Sequence, residues 1–244
     1  MSELPRGKLY LIPVALGGED AVSRIPPATL DAARKLRTFA VENAKSARGF
    51  LKSIGHPVPL REIALHQFNE HAREIEPLLA LLVAGEDCGL LSEAGCPAVA
   101  DPGASLVARA HDAGIVVVPL VGPSSILLAL MASGMNGQRF AFHGYLPVDR
   151  MERARRLRDL EARASRETQI FIETPYRNAA MLQSLLEHCR GDTLLCIAAD
   201  LTLPAASVIT RSIALWQKKP PAVDRRLVVF LLSRKEDNHL NVKP

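Results

Sequence analysis

From Ile115 to Gly137 the chain carries no charged side chain, and so long an uncharged run must be shielded from water by lipid or by the protein's own core. Its punctuation decides between the two. Gly114 is placed to end a preceding helix, IVVVPLV is β-branched like a buried strand, and GPSS turns into the apolar helix ILLALMASG. The reading is strand, turn, buried helix and no membrane span. Strands without charges suit a parallel sheet covered on both faces.

The same alternation runs through the first half. KLYLIPVAL, TFAVEN, CGLLSEA and VVVPLVG read as strands and PLREIALHQF as an extended segment, separated by the helices PPATLDAARKLR, SARGFLKSI, REIEPLLALLVAG and PGASLVARAHDAG. That is an open parallel sheet with crossover helices. The rhythm then changes. A helix over 125–134 is followed by the strand RFAFHGYL, a long arginine-rich helix, the strand TQIFIET, the helix YRNAAMLQSLLEHC and the strand TLLCIAADLT, with ASVITRSI and RLVVFLL as adjacent late strands. Between those last two the short ALWQKK is the one helical segment, which predicts a mixed sheet. The fold class is therefore α/β with two α/β domains, 1–120 and 121–244, divided at VGPSS, and a frayed tail EDNHLNVKP.

At 244 residues and 48% hydrophobic content the chain can bury the core that such an arrangement needs. A net charge of +4 and a pI near 9.0 permit an anionic partner such as RNA without requiring one. Cys88, Cys96, Cys189 and Cys196 form no CxxC pair, and the seven histidines form no HExxH or Cys/His grouping, so no metal site is expected. With no signal-peptide pattern at the N-terminus, these thiols place the protein in a reducing cytoplasm.

In open α/β sheets ligands bind beyond the carboxyl ends of the strands. Five segments rich in Gly, Pro, Ser or Ala lie at such ends: IPVALGG, SEAGCPAVADPG, GPSS, ETPYR and AADLT. Small residues let backbone groups approach a ligand closely, which suits reading the edges of an adenine-like base by main chain. The fingerprints GxGxxG, GxxxxGK[ST] and GxSxG are all absent from the sequence, which argues against a dinucleotide fold, a P-loop and a hydrolase elbow.

Taken in order, IPVALG, VENAKSARGFLK, FNEH, SEAGCPAVADPG, VPLVGPSSILLALMASG, FAFHGYLP, FIETPYRN and IAADLT resemble the tetrapyrrole (corrin/porphyrin) methylase superfamily of S-adenosylmethionine-dependent methyltransferases. Within it they most resemble the 16S rRNA cytidine 2′-O-methyltransferase branch. The resemblance implies two α/β domains with S-adenosylmethionine bound in the cleft between them, and a homodimer. It places the cofactor against Ile12 and Pro13, and against Gly95, Cys96, Pro97 and Val99. Ser124, Ser125 and Ile126 would close the hinge, Thr174, Pro175 and Tyr176 come from ETPYR, and Ala198, Ala199 and Leu201 surround the adenine. Asp101 then has a structural role as helix N-cap, with Pro102 the first helical residue.

Methyl transfer to a ribose hydroxyl requires alignment and a proton acceptor. Glu93 is the leading candidate catalytic residue, with Glu42 and Glu70 as alternatives at neighbouring strand ends. The run after Leu201 departs from the A-R-E-L-T-K pattern of the rRNA branch and has no basic residue before Arg211, which puts the particular cytidine in question. The helix RMERARRLRDLEARASRE has seven arginines against four acids. It reads either as a grip on RNA phosphates or as a solvated helix with Glu152 to Arg156 and Asp159 to Arg163 pairs. The leading function is an S-adenosylmethionine-dependent methyltransferase acting on RNA, a ribose 2′-hydroxyl of rRNA. The alternatives are methylation of a tetrapyrrole or other small molecule, and a non-catalytic cofactor- or RNA-binding protein.

Overall fold

Uncharged segments at the predicted positions supply the central strands of a parallel sheet. In the computed structural model, which describes residues 5–18, 21–68 and 72–234, this sheet lies in the first of two compact units, Met1–Ser124 and Ser125–Pro244. Its strands are Lys8–Ile12 (β1), Thr38–Val41 (β2), Ala64–Gln67 (β3), Cys88–Leu91 (β4) and Val116–Pro119 (β5), in the order β3-β2-β4-β1-β5. Every residue of β2 and β4 is buried. Within β4, a Cβ on Gly89 would meet Phe39 and Ile12 side chains at 2.7 Å, so the glycine makes room for Phe39 to cover the sheet.

Four helices complete this unit: Pro27–Lys35 (α1), Ala44–Ser53 (α2), Ala72–Val83 (α3) and Ala104–Asp112 (α4). Asn43 caps α2, its side chain accepting from the N–H groups of Lys45 and Ser46. The extended reading of PLREIALHQF holds only in its second half, because a 3-10 turn at Leu60–Glu62 precedes β3. β5 also departs from expectation. As the sheet's edge strand it leaves Val116 57% exposed, so its lack of charge does not reflect burial on both faces.

The second unit begins with Ser125–Ser133 (α5) and contains Phe140–Tyr145 (β6), Arg150–Arg163 (α6), Thr168–Ile172 (β7), Asn178–His188 (α7), Leu194–Ala199 (β8), Ser207–Ser212 (β9), Ile213–Lys218 (α8) and Val228–Ser233 (β10). The sheet is mixed. Its order is β6-β7-β10-β8-β9, with only β6 and β7 parallel. The two late strands are therefore not neighbours. β8 and β9 pair directly as consecutive antiparallel strands, and ALWQKK, helical as α8, returns the chain to the far side of β8.

β10 organises this unit by alternation. Val228, Phe230 and Leu232 point to one core with Leu157, Leu185 and Trp216, while Val229 and Leu231 point to a second with Ile126 and Ala129 of α5. Among the described residues no helix is long and apolar enough to cross a membrane. Glu161 of α6 is only 7% exposed, and it accepts from the Arg190 N–H at 2.7 Å and the Thr193 hydroxyl at 2.5 Å. Glu161→Ala strands both donors, and the expected loss is about 2–3 kcal/mol. Urea unfolding followed by circular dichroism checks this; an unchanged midpoint would contradict the assigned role of the carboxylate.

Candidate functional site

β1 ends at Ile12, whose side chain is wholly buried in the sheet core. The chain continues through Pro13 to Val14, which forms an antiparallel bridge with Gly95: Val14 N–H donates to Gly95 O at 2.9 Å and Gly95 N–H donates to Val14 O at 3.1 Å. Ser92 Oγ–H donates to the same Gly95 carbonyl at 2.7 Å, and the Cys96 thiol donates to Pro123 O at 3.5 Å. A Cβ on Gly122 would lie 2.3 Å from Pro13 Cβ. Three strand-end loops are thus packed into one block, which brings together Pro13, Gly95 and Cys96, with Ser124 next in sequence to Pro123.

Gly95 has φ +76°, and a Cβ there would meet Leu16 at 3.3 Å and the Pro123 carbonyl at 3.6 Å. A side chain at this position would be strained whichever way it pointed. Pro97 is buried, and Val99 is 45% exposed at the far turn of the loop. Burial pushes the Cys96 thiol up, so it stays protonated near neutrality and acts as a small wall residue rather than a nucleophile.

Asp101 is not the N-cap. Gly103 occupies that position with φ +139° and no side-chain cap, and α4 starts at Ala104. Ala98 and Ala100, both with φ near +60°, coil the loop. A Cβ on Gly103 would also lie 2.6 Å from Leu90, so the chain passes close over the sheet before entering the helix. Asp101 Oδ2 is buried with no hydrogen-bond partner. Burial, then the charges of Glu42 and Glu93, push this carboxyl up to about 6. Glu42 is raised too, by burial and then by Glu93. Nothing in the motif signalled this, because loop conformation alone turns Asp101 inward.

Glu93 accepts from Ser46 Oγ–H through Oε1 at 2.6 Å. Beside it lies a cavity of about 240 Å³ lined by Val14, Ala15, Ser46, Phe50, Ser92 and Glu93. Glu70 lies outside the described residues, as does most of FNEH. Among the described residues no cluster of His, Cys, Asp and Glu could hold a metal ion.

In the second unit, Ile126 and Ala198 share a core cluster against which Leu201 packs, and Ala199 faces the opposite core. Both alanines are in β8, so their side chains support the sheet, and the chain leaves the strand at Asp200–Thr202. Asp200 and Thr202 both have positive φ. Thr174, Pro175 and Tyr176 follow β7, with Tyr176 81% exposed. The start of β10 separates these two groups, about 10 Å apart at two strand spacings. Arg226 fastens that start, donating to Asp200 Oδ2 at 2.7 Å, while Arg225 N–H donates to Pro175 O at 3.0 Å. Ser125 is the first residue of α5.

Glycine cradles at strand ends, loops bound to one another through main chain, and carboxylates beside a small cavity fit a nucleoside-like cofactor approached by backbone. The family profile described as Tetrapyrrole (Corrin/Porphyrin) Methylases matches residues 8–215. The chain belongs to this family. Members of the family and its rRNA-methylating relatives use S-adenosylmethionine as methyl donor, and they are methyltransferases.

Two relatives, each named ribosomal RNA small subunit methyltransferase I, illustrate the similarity. That of Vibrio cholerae is 33% identical over 210 residues, covering 83% of this chain and 70% of its own length. That of Mesorhizobium japonicum is 38% identical over 195 residues, covering 80% and 63%. The chain thus spans about two thirds of these relatives. Among solved structures, the methyltransferase CobJ superposes with a TM-score of 0.62 at 18% identity, covering 94% of this chain and 95% of its own. The uroporphyrin-III-C-methyltransferase of Thermus thermophilus gives 0.55 at 19%, covering 93% and 94%. At such identities the superpositions speak for the fold.

The carboxylate cluster has a pH signature. Because the Asp101 carboxyl is raised in the folded state, its contribution favours folding at low pH and is lost as pH rises from its unfolded value through about 6. Asp101→Asn is expected to stabilise the protein at pH 7–8, with the advantage shrinking towards pH 4. Denaturation midpoints across that range check this, and a difference independent of pH would contradict the burial of an unpartnered charge.

Proposed function

We propose that this chain transfers a methyl group to a ribose 2′-hydroxyl of ribosomal RNA. Family membership supports methyl transfer, and the names of the relatives support the acceptor class. The structural observation that carries the reading is the placement of Glu93 on the loop that Gly95 locks to β1, next to a cavity and hydrogen-bonded by Ser46.

Bound S-adenosylmethionine supplies an electrophilic methyl group; the chain has to orient it, exclude water and accept a proton. In the first unit Ile12 and Pro13 set the loop direction, while Gly95, Cys96, Pro97, Val99 and Ser124 form the wall. Ser125, Ile126, Thr174, Pro175, Tyr176, Ala198, Ala199 and Leu201 serve from the second unit, with Ala198 and Ala199 acting as the floor that aims the turn after β8. Ser46 occupies Glu93 Oε1 and leaves Oε2 to accept the ribose proton. The O–CH₃ bond forms as the S–CH₃ bond breaks, and S-adenosylhomocysteine leaves.

A tetrapyrrole acceptor draws less support, because the relatives that are 33% and 38% identical are named for ribosomal RNA. We read the protein as a cytoplasmic homodimer, for which the resemblance speaks.

Calorimetric titration with S-adenosylmethionine should show binding by the wild type and none by Gly95→Trp, whose indole cannot be placed at φ +76° between Leu16 and Pro123. Absence of binding by folded wild type would sink the cofactor site. Labelled methyl transfer to small ribosomal subunits should fall about 10²–10⁴-fold in Glu93→Gln with cofactor affinity retained. Unchanged turnover in that variant removes Glu93 as proton acceptor. Binding without transfer to any RNA or small acceptor leaves the non-catalytic reading instead.

A further inference from the structure

The arginines of α6 divide into two groups by what they touch. Arg150 pairs with Glu187 at 3.1 Å, Arg153 donates to Ser184 Oγ and Val148 O at 2.9 Å, and Arg156 donates to His143 Nδ1 at 3.1 Å. These three are fastened to the fold. Arg155, Arg158, Arg163 and Arg166 are exposed and make no side-chain hydrogen bond or ion pair among the described residues.

The acids of the same segment divide as well: Glu152 and Asp159 are exposed, while the other two are engaged. Glu161 is buried under Arg190 and Thr193, and Glu167 accepts from Gln169 Nε2 at 3.3 Å. The anticipated Glu152 to Arg156 and Asp159 to Arg163 pairs do not form, since Arg156 turns to His143 and Arg163 pairs with no acid. Solvent therefore meets four unpaired arginines, Arg155, Arg158, Arg163 and Arg166, against the exposed Glu152 and Asp159.

Those free guanidiniums are also ordered in space. Buried Ala154, Leu157, Leu160 and Glu161 fix which face of α6 is turned inward. Positions 155 and 158 then fall roughly 60° apart on the opposite face, and Arg166 lies in the turn just past the helix end at Arg163. Exposed Arg139 adjoins the far end of that turn, where Thr168 N–H donates to the Arg139 carbonyl at 2.9 Å. This excess of unpaired guanidiniums suits a polyanion, and guanidinium forks match phosphate oxygens.

We infer that the outer face of α6 and the turn that follows it, through Arg155, Arg158 and Arg166 flanked by Arg139 and Arg163, grip the RNA phosphate backbone. This rests on the proposed RNA acceptor and adds the surface that holds it. Contact here is to backbone, so it supplies affinity and register without base selection.

The test is a salt titration of 16S rRNA binding by the whole chain. The variant Arg155→Gln/Arg158→Gln/Arg166→Gln should bind about 10-fold or more weaker, with its log–log salt slope reduced by about 2–3, close to one unit per lost phosphate contact. Replacing the same three by lysine should restore most of the affinity. Lys218→Gln/Lys219→Gln, also exposed in this unit, should leave the slope within half a unit of wild type, about the scatter such a fit allows. S-adenosylmethionine affinity should not change in any of them. A wild-type slope in the triple glutamine variant overturns the surface, as does an equal loss in the lysine variants. Binding to phosphatidylglycerol vesicles that the triple variant loses, with RNA binding intact, overturns it in favour of a membrane. Wild type that binds S-adenosylmethionine but no RNA overturns the acceptor reading and this surface with it.

Discussion

The antiparallel bridge between Val14 and Gly95 is the contact on which the candidate site depends. β1 and β4 are parallel neighbours, so their following loops leave the sheet side by side with unpaired main chain. Two hydrogen bonds across the bridge satisfy part of that need, and the Gly95 carbonyl also takes the Ser92 hydroxyl. Once the loops are tied, the remaining geometry follows. Gly122 must lack a side chain to pass Pro13, Gly95 must adopt positive φ, and Glu93 is left two residues before the lock, facing Ser46 at the start of α2. The wall is rigid because main chain, not flexible side chains, builds it.

The first unit tolerates an electrostatic cost at the same place. Burial and the charges of Glu42 and Glu93 raise the protonation of Asp101, burial and Glu93 raise that of Glu42, and one Asp101 oxygen is buried without a partner. A sequence selected for stability alone would place an amide there. Strained alanines at positions 98 and 100 accompany it. Backbone strain and an orphaned carboxylate coincide on one loop, the combination expected where binding or proton transfer sets the requirement.

Regular elements were legible because burial imposes period and composition: TFAV and CGLL could be nothing but central strands once flanked by helical patterns. Strand ends located the loops, and the resemblance assigned them to a cofactor. Neighbour relations among late strands were not legible, since an antiparallel partner is chosen by tertiary packing, and only the structure reveals β8 between β9 and β10. Asp101 misled for a different reason. D-P-G before an apolar helix matches a capping pattern, yet positive φ at two alanines, which carry no sequence signal, shifts the helix start to Ala104. Charge counts on α6 failed likewise, because they cannot tell a buried glutamate from a solvated one.

A net charge of +4 is thus an average over opposed surfaces. Three carboxylates at the strand ends of the first unit repel any phosphate brought near them, and protonation relieves only part of that repulsion at neutral pH. An anionic acceptor must therefore draw its affinity from elsewhere on the chain. The unpaired arginines of α6 and the turn after it have the sign for that task, in excess over the exposed Glu152 and Asp159. Glu161, turned inward to hold Arg190 and Thr193, closes a loop in the core and adds nothing to the acids that solvent meets.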